Sequence, residues 1–215
     1  MYLLCEIVFV AYNWNMNTKE LLEKIRNNTK EDMIPPKSSA VIIPLVEISG
    51  EIHVLFEVRS PALKFQPGEV CFPGGRIEAG EAPMDAALRE ISEELLIDSG
   101  KTEIISSLAP LFGPTGSLVY PYVALLHDYK MTYSTDEVAK VFTYPISFFK
   151  EHPANRYPMQ KPTIPPDNFP FQKVTGGTDT YNWHVQKYDM WIYEDTDPVV
   201  WGFTGRLLHA FFELI

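Results

Sequence analysis

Between Gly75 and Ile97 the chain runs through a glycine turn, an acidic loop and a stretch that has to be a helix with three glutamates crowded on one side. Pro83 suits the first turn, where its missing N–H is harmless, and Glu81 and Asp85 complement the positive end of the helix dipole. On a 3.6-residue wheel Met84, Leu88, Ile91 and Leu95 form the apolar stripe, while Arg89, Glu90, Glu93 and Glu94 occupy the other side. Glu90 and Glu93 are spaced i,i+3, and Glu90 and Glu94 i,i+4, so each pair repels by roughly 0.2–0.5 kcal/mol unless a positive group lies among them. A solvated acidic surface is one way to carry such a face. A divalent cation, which takes hard oxygen ligands, is the other.

The segment just upstream favours the cation. Leu55 to Gly75 places Arg59, Ser60, Lys64 and Gly68 before Phe72-Pro73-Gly74-Gly75. With Glu81, Arg89, Glu90, Ile91, Glu93, Glu94 and Ile97 at their spacings, the whole resembles the signature of the Nudix hydrolases. The part from Arg59 to Gly75 is similar to that of their coenzyme A pyrophosphatase branch. Three places depart from the pattern. Leu96 stands where a glycine usually leaves the helix, Lys64 replaces an arginine, and Phe56-Glu57 replaces a Leu-Thr pair. Lysine keeps the charge of arginine and loses its bidentate fork.

The resemblance implies a loop–helix–loop unit that holds Mg²⁺ or Mn²⁺ over a diphosphate while water attacks phosphorus. It makes Glu90 and Glu94 the main metal ligands and Glu93 a third ligand or the base. Arg89 would orient the carboxylates, and Glu81 would brace the loop or support an outer metal. Arg59, Lys64, Gly74 and Gly75 would bind substrate, the two basic residues meeting the extra 3′-phosphate of coenzyme A. The base in this family is sometimes a glutamate outside the box, and Glu137 is a candidate. Trp201-Gly202-Phe203-Thr204-Gly205 is similar to a run that opens the last helix in the same branch. Its role is structural: Thr204, Leu207, Leu208, Phe211 and Phe212 form an apolar stripe and Trp201 anchors the start.

With 215 residues and 46% hydrophobic content, the chain suffices for one core. The expectation is a single Nudix domain over residues 16–215, preceded by an extension or disordered tail at 1–15, with translation starting at Met1 or Met16. A net charge of −10 and the lack of a long basic cluster argue against nucleic acid as a partner. That field also repels polyphosphates, another reason to expect cation dependence. Cys5 and Cys71 give neither a disulfide framework nor zinc spacing, which suits a reducing cytoplasm. Cys71, between Val70 and Phe72, reads as a small packed hydrophobe. The apolar run Tyr2–Ala11 contains Glu6 and is shorter than the roughly 20 residues of a span, so no membrane association is expected.

Strands are predicted at 40–48 and 52–59, joined by a turn at Ser49-Gly50-Glu51. More follow near 104–112, 120–126, 137–143 and 183–192, with a short helix after Pro145 and a final helix. This order favours an α/β fold, the α/β/α sandwich with a mixed sheet that the resemblance also implies. Pro153, Pro158, Pro162, Pro165, Pro166 and Pro170 make 152–171 read as a long loop or lid. His184 and His209 read as packed or surface residues.

The expected function is hydrolysis of coenzyme A or acyl-coenzyme A to 3′,5′-ADP and (acyl-)4′-phosphopantetheine by a metal-dependent diphosphatase. The alternatives are a Nudix hydrolase of ADP-ribose or another nucleoside diphosphate derivative, and a silent nucleotide-binding Nudix domain. A homodimer is left open.

Overall fold

A computed structural model describes residues 17–27, 38–113 and 116–215. The chain divides into two compact units, Met1–Ile34 and Pro35–Ile215. In the first, α1 (Thr18–Asn27) opens with a reciprocal cap: Asn17 Oδ1 accepts from the Glu20 N–H at 3.0 Å, and Glu20 Oε2 accepts from the Asn17 N–H at 3.1 Å. The extension expected at 1–15 lies outside the described residues.

The second unit is built on an eight-stranded mixed sheet. β1 (Ser38–Ile48) lies at its centre, antiparallel to β2 (Glu51–Arg59) and parallel to β7 (Leu118–Leu126). β1 and β2 are joined through Ser49 (φ 54°) and Gly50 (φ 82°), the two positive φ angles of a type I′ hairpin turn. β3 (Val70–Cys71) and β8 (Val138–Pro145) pair with β2, and β4 (Gly74–Arg76) pairs with β1. β5 (Thr102–Ser107) and β6 (Leu111–Phe112) pair with β7.

A helix covers each face. α2 (Pro83–Leu95) lays Ala86, Ala87, Ile91 and Leu95 on Ala40, Ile42, Leu55 and Ala124. On the opposite face Leu207, Leu208 and Phe211 of the last helix, Gly202–Phe212, pack with Ile43, Val54, Phe56 and Val123. Alternation along β1 and β2 feeds both layers, so the expected α/β/α sandwich is present. Between them come α3 (Ile146–Glu151), β9 (Asn155–Lys161), α4 (Phe171–Thr175) and β10 (Gln186–Ile192), which makes the last helix α5.

Several local expectations are corrected. Met84 is exposed, and the buried side of α2 is turned toward Ala86, Ala87 and Glu94, because small residues allow close approach to the sheet. Trp201 is exposed at the α5 N-terminus and does not anchor it. The Thr204 hydroxyl does, donating to the Val70 carbonyl at 2.9 Å. Residues 152–171 are not all loop. Asn155–Lys161 within them is β9, exposed along its length, which pairs antiparallel with β10 as a two-stranded ribbon. Pro158 is tolerated because a ribbon strand has a free side. His184 is exposed, whereas His209 stacks on Trp191 at 3.6 Å between ring centroids. Among the described residues no helix is long and apolar enough to cross a membrane.

Leu96, in the place of the missing glycine, ends α2 in the left-handed region at φ 52°, ψ 39°. A Cβ there costs roughly 1–2 kcal/mol, while glycine costs roughly 0.5–1 kcal/mol in unfolded-chain entropy. Leu96 is 58% exposed, so little burial is at stake. Leu96→Gly is therefore expected to stabilise the fold by about 0.5–1 kcal/mol, seen as a higher urea midpoint at unchanged m-value. An unchanged or lower midpoint would refute the strain argument.

Candidate active site

The strand-to-helix route from Val70 to Leu95 brings the sequence candidates together. β4 runs beside β1, with Gly74 opposite Val41 and Gly75 opposite Ala40. Both glycines leave space that a side chain would fill, at Gly74 against backbone and at Gly75 against a side chain. A Cβ on Gly74, whose φ is 153°, would press on the Ala40 carbonyl and lie 2.6 Å from the Val41 Cα. A Cβ on Gly75 would fall against the Glu90 carboxylate, under 3.0 Å from all three of its heavy atoms. The pair forms a floor against which α2 sets its glutamates.

Glu94 is 2% exposed, and its Oε2 accepts from the Gly74 N–H at 2.8 Å. Glu90 is half-buried one turn earlier, its Oε1 accepting from Arg89 Nη1 at 2.8 Å. Arg89 is the hub of the outer side. Its Nε and Nη2 clamp both Glu81 oxygens at 3.0 and 3.1 Å, and Nη2 also donates to the Arg76 carbonyl at 3.1 Å. Glu81 Oε2 in turn accepts from the Glu78 N–H at 2.9 Å, which ties the loop to the helix. Glu93 stands apart, 56% exposed, with Arg89 Nη1 at 3.4 Å.

The charges respond to this packing. The Arg89 hydrogen bond and then the Glu78 N–H hold Glu81 below the usual carboxylate range. Burial raises Glu90 against the relief that Arg89 provides, with Glu93 and Glu137 adding repulsion. Burial, then the charge of Glu57, lift Glu94 to about 9 despite the Gly74 N–H; Glu90 and Glu137 add to the rise.

A further buried carboxylate, Glu57, acts on Glu94 and was not marked by the motifs. It lies on β2, 1% exposed, with Oε1 accepting from the Cys71 thiol at 3.1 Å. Burial lifts it to about 7, with Cys71 and Arg59 opposing. A signal existed in the sequence: a lone carboxylate inside the apolar run Val54-Leu55-Phe56-Glu57-Val58. A buried charge is informative where an exposed leucine is not. Cys71, only partly buried, is more than a packed hydrophobe, since it donates to Glu57. Burial, then Glu57, push its thiol well above the ordinary range, so it is no thiolate nucleophile.

Arg59 ends β2 and Lys64 sits on the loop that leaves it. Arg59 Nε donates to the Phe65 carbonyl at 3.2 Å, and the loop closes through Arg59 N to Glu69 O at 3.0 Å and Gly68 N to Arg59 O at 3.1 Å. Lys64 is exposed. Glu137, also exposed, precedes β8 and accepts at its carbonyl from the Ser60 N–H at 2.7 Å. Its charge reaches Glu57, Glu90 and Glu94.

Among the described residues no three acidic, imidazole or thiol side chains converge as a ready-made metal cage. Magnesium does not ask for one: it keeps several waters and takes one or two carboxylates plus substrate phosphate. The donor set fits that demand, with hard oxygens of Glu90 and Glu94 set against the glycine floor.

The NUDIX domain family model matches residues 36–161. The peroxisomal coenzyme A diphosphatase NUDT7 of Mus musculus is 35% identical over 146 residues, 67% of this chain and 61% of that protein. Nudix hydrolase 3 of Caenorhabditis elegans is 31% identical over 185 residues, 82% of this chain and 72% of that protein. The uncharacterized Nudix hydrolase NudL of Enterobacter sp. (strain 638) is 36% identical over 125 residues, 57% of this chain and 65% of that protein. The match thus spans less than two thirds of the mouse and Enterobacter proteins.

Proposed function

The chain belongs to the Nudix family, and on that premise we propose that it is a cation-dependent diphosphatase acting on coenzyme A or acyl-coenzyme A. The products are 3′,5′-ADP and (acyl-)4′-phosphopantetheine. The observation that carries the reading is the seating of Glu90 and Glu94 against Gly74 and Gly75. Glu90 has Arg89 beside it, but buried Glu94 one turn on has no ammonium or guanidinium against it among the described residues, and the floor is shaped around Glu90.

Mg²⁺ or Mn²⁺ held by Glu90 and Glu94 would neutralise charge on the diphosphate oxygens and lower the pKa of a bound water. Arg89 fixes the Glu90 carboxylate while its fork is anchored on Glu81, so the helix presents Glu90 in one orientation. Glu93 and Glu137, both exposed, are the groups that would take a proton from the attacking water. Arg59 and Lys64 supply the positive charge for a phosphate beyond the diphosphate, as the mouse protein's name and the Arg59–Gly75 pattern suggest.

A substrate panel with product masses tests this. Coenzyme A is expected to be cleaved in preference to dephospho-coenzyme A and ADP-ribose. Arg59→Ala is expected to reduce kcat/KM for coenzyme A about tenfold and for dephospho-coenzyme A much less, the size of one charge-assisted hydrogen bond. Equal rates on all three compounds would move the assignment to ADP-ribose or a related nucleoside diphosphate derivative. Absence of any cleavage with Mg²⁺ or Mn²⁺ would leave a silent nucleotide-binding domain.

A further inference from the structure

We propose that Glu57 is a cation-facing carboxylate of the same site, supplied by the sheet where the family motif supplies its carboxylates from the helix. The inference rests on the diphosphatase reading and adds a residue to it. Alternation along β2 turns Leu55 and Glu57 toward α2, and Leu55 packs there with Ala87, Ile91 and Leu95. Glu57 is thus carried to the inner end of the acidic face of α2, where Cys71 and Gly74, three residues apart, touch Glu57 and Glu94 respectively.

One oxygen of Glu57 is accounted for and the other is not. Oε1 accepts from the Cys71 thiol, a weak donor, while Oε2 is buried with no hydrogen-bond partner among the described residues. A buried carboxylate with an empty oxygen costs several kcal/mol unless a ligand or a proton fills it. Arg59 eases the charge of Glu57 at a distance, but its Nε is spent on the Phe65 carbonyl. No ammonium or guanidinium lies against Glu57 Oε2 among the described residues. Magnesium and manganese accept such an oxygen, and Glu57 would add it on the side of Glu94, whose carboxylate its charge reaches.

The test is Mn²⁺ binding in the absence of nucleotide, followed by the electron paramagnetic resonance signal of the free ion, on the full chain. Glu57→Gln is expected to weaken Mn²⁺ at least tenfold with an unchanged circular dichroism spectrum, and Glu57→Asp to lose less. Glu57→Thr, shorter and neutral, repeats the test if the glutamine variant does not fold. Mn²⁺ affinity within twofold of wild type in the neutral variants, while Glu90→Gln weakens it, overturns the role of Glu57 and leaves the diphosphatase reading intact. Failure of the wild-type protein to bind Mn²⁺ overturns the role of Glu57, while the substrate panel decides the diphosphatase reading separately.

Discussion

Replacing Glu94 with glutamine is expected to lower kcat on coenzyme A by about 10³-fold or more, with the circular dichroism spectrum unchanged. Glutamine keeps the shape of Glu94 and its amide oxygen still accepts from the Gly74 N–H, so the floor under α2 stays closed. What disappears is the negative charge proposed to hold a cation, whose charge stabilisation is worth several kcal/mol, and about 4 kcal/mol corresponds to 10³ in rate. A variant that turns over at the wild-type rate with Mg²⁺ would remove Glu94 from the ligand set.

The same substitution has a signature in stability. The folded protein holds the Glu94 proton up to about 9, against an ordinary carboxylate near 4.5, and Glu57 up to about 7. Both values are raised, so the native state binds protons more tightly than the unfolded chain. Their stabilisation is complete below pH 4.5 and drains away as pH climbs through 7 and 9. In chelator, the wild-type melting temperature therefore falls between pH 5 and 9, and Glu94→Gln falls less. On the proposed reading Mg²⁺ replaces the proton as counter-charge, so its stabilising effect is expected to grow over the same interval.

How much of this was legible differs by element. The helix and its glutamates were plain because a 3.6-residue period and fixed spacings show directly in the sequence. The hairpin was equally plain, since Ser49-Gly50 is a turn signal between two apolar runs. The buried side of α2 was misjudged at Met84 because the wheel ranks residues by hydrophobicity, whereas the sheet selects Ala86 and Ala87 for size. β9 was hidden by its prolines: density of Pro excludes a central strand, and only the partner strand, with Tyr188–Asp189 opposite Pro158–Met159, reveals that they lie in a ribbon. Glu57 was missed for a different reason. Its meaning depends on Glu94 and Cys71, which the fold brings to it from other elements, and no spacing along the chain encodes that meeting.

Gly74→Ala and Gly75→Ala, one residue apart, are expected to fail in opposite ways. At Gly74 the added methyl meets backbone, the Ala40 carbonyl and the Val41 Cα, and φ is 153°, so neither side can yield without parting β4 from β1. Backbone strain of about 1–3 kcal/mol and overpacking of about 1–3 kcal/mol add to about 4 kcal/mol, a large part of a typical domain's stability. Gly74→Ala should therefore unfold at a much lower denaturant concentration. At Gly75 the backbone is compatible with alanine and the obstacle is the Glu90 carboxylate, a side chain that swings aside at small cost. Moving it breaks the 2.8 Å contact with Arg89 Nη1 and takes a proposed ligand out of register with Glu94. Stability should change by less than about 1 kcal/mol while kcat/KM falls about 100-fold, the scale of a misplaced catalytic group. Denaturant midpoints and single-turnover rates on the two variants separate the cases. A fully active Gly75→Ala protein would mean that Glu90 works from another position, and the floor would then serve only the fold.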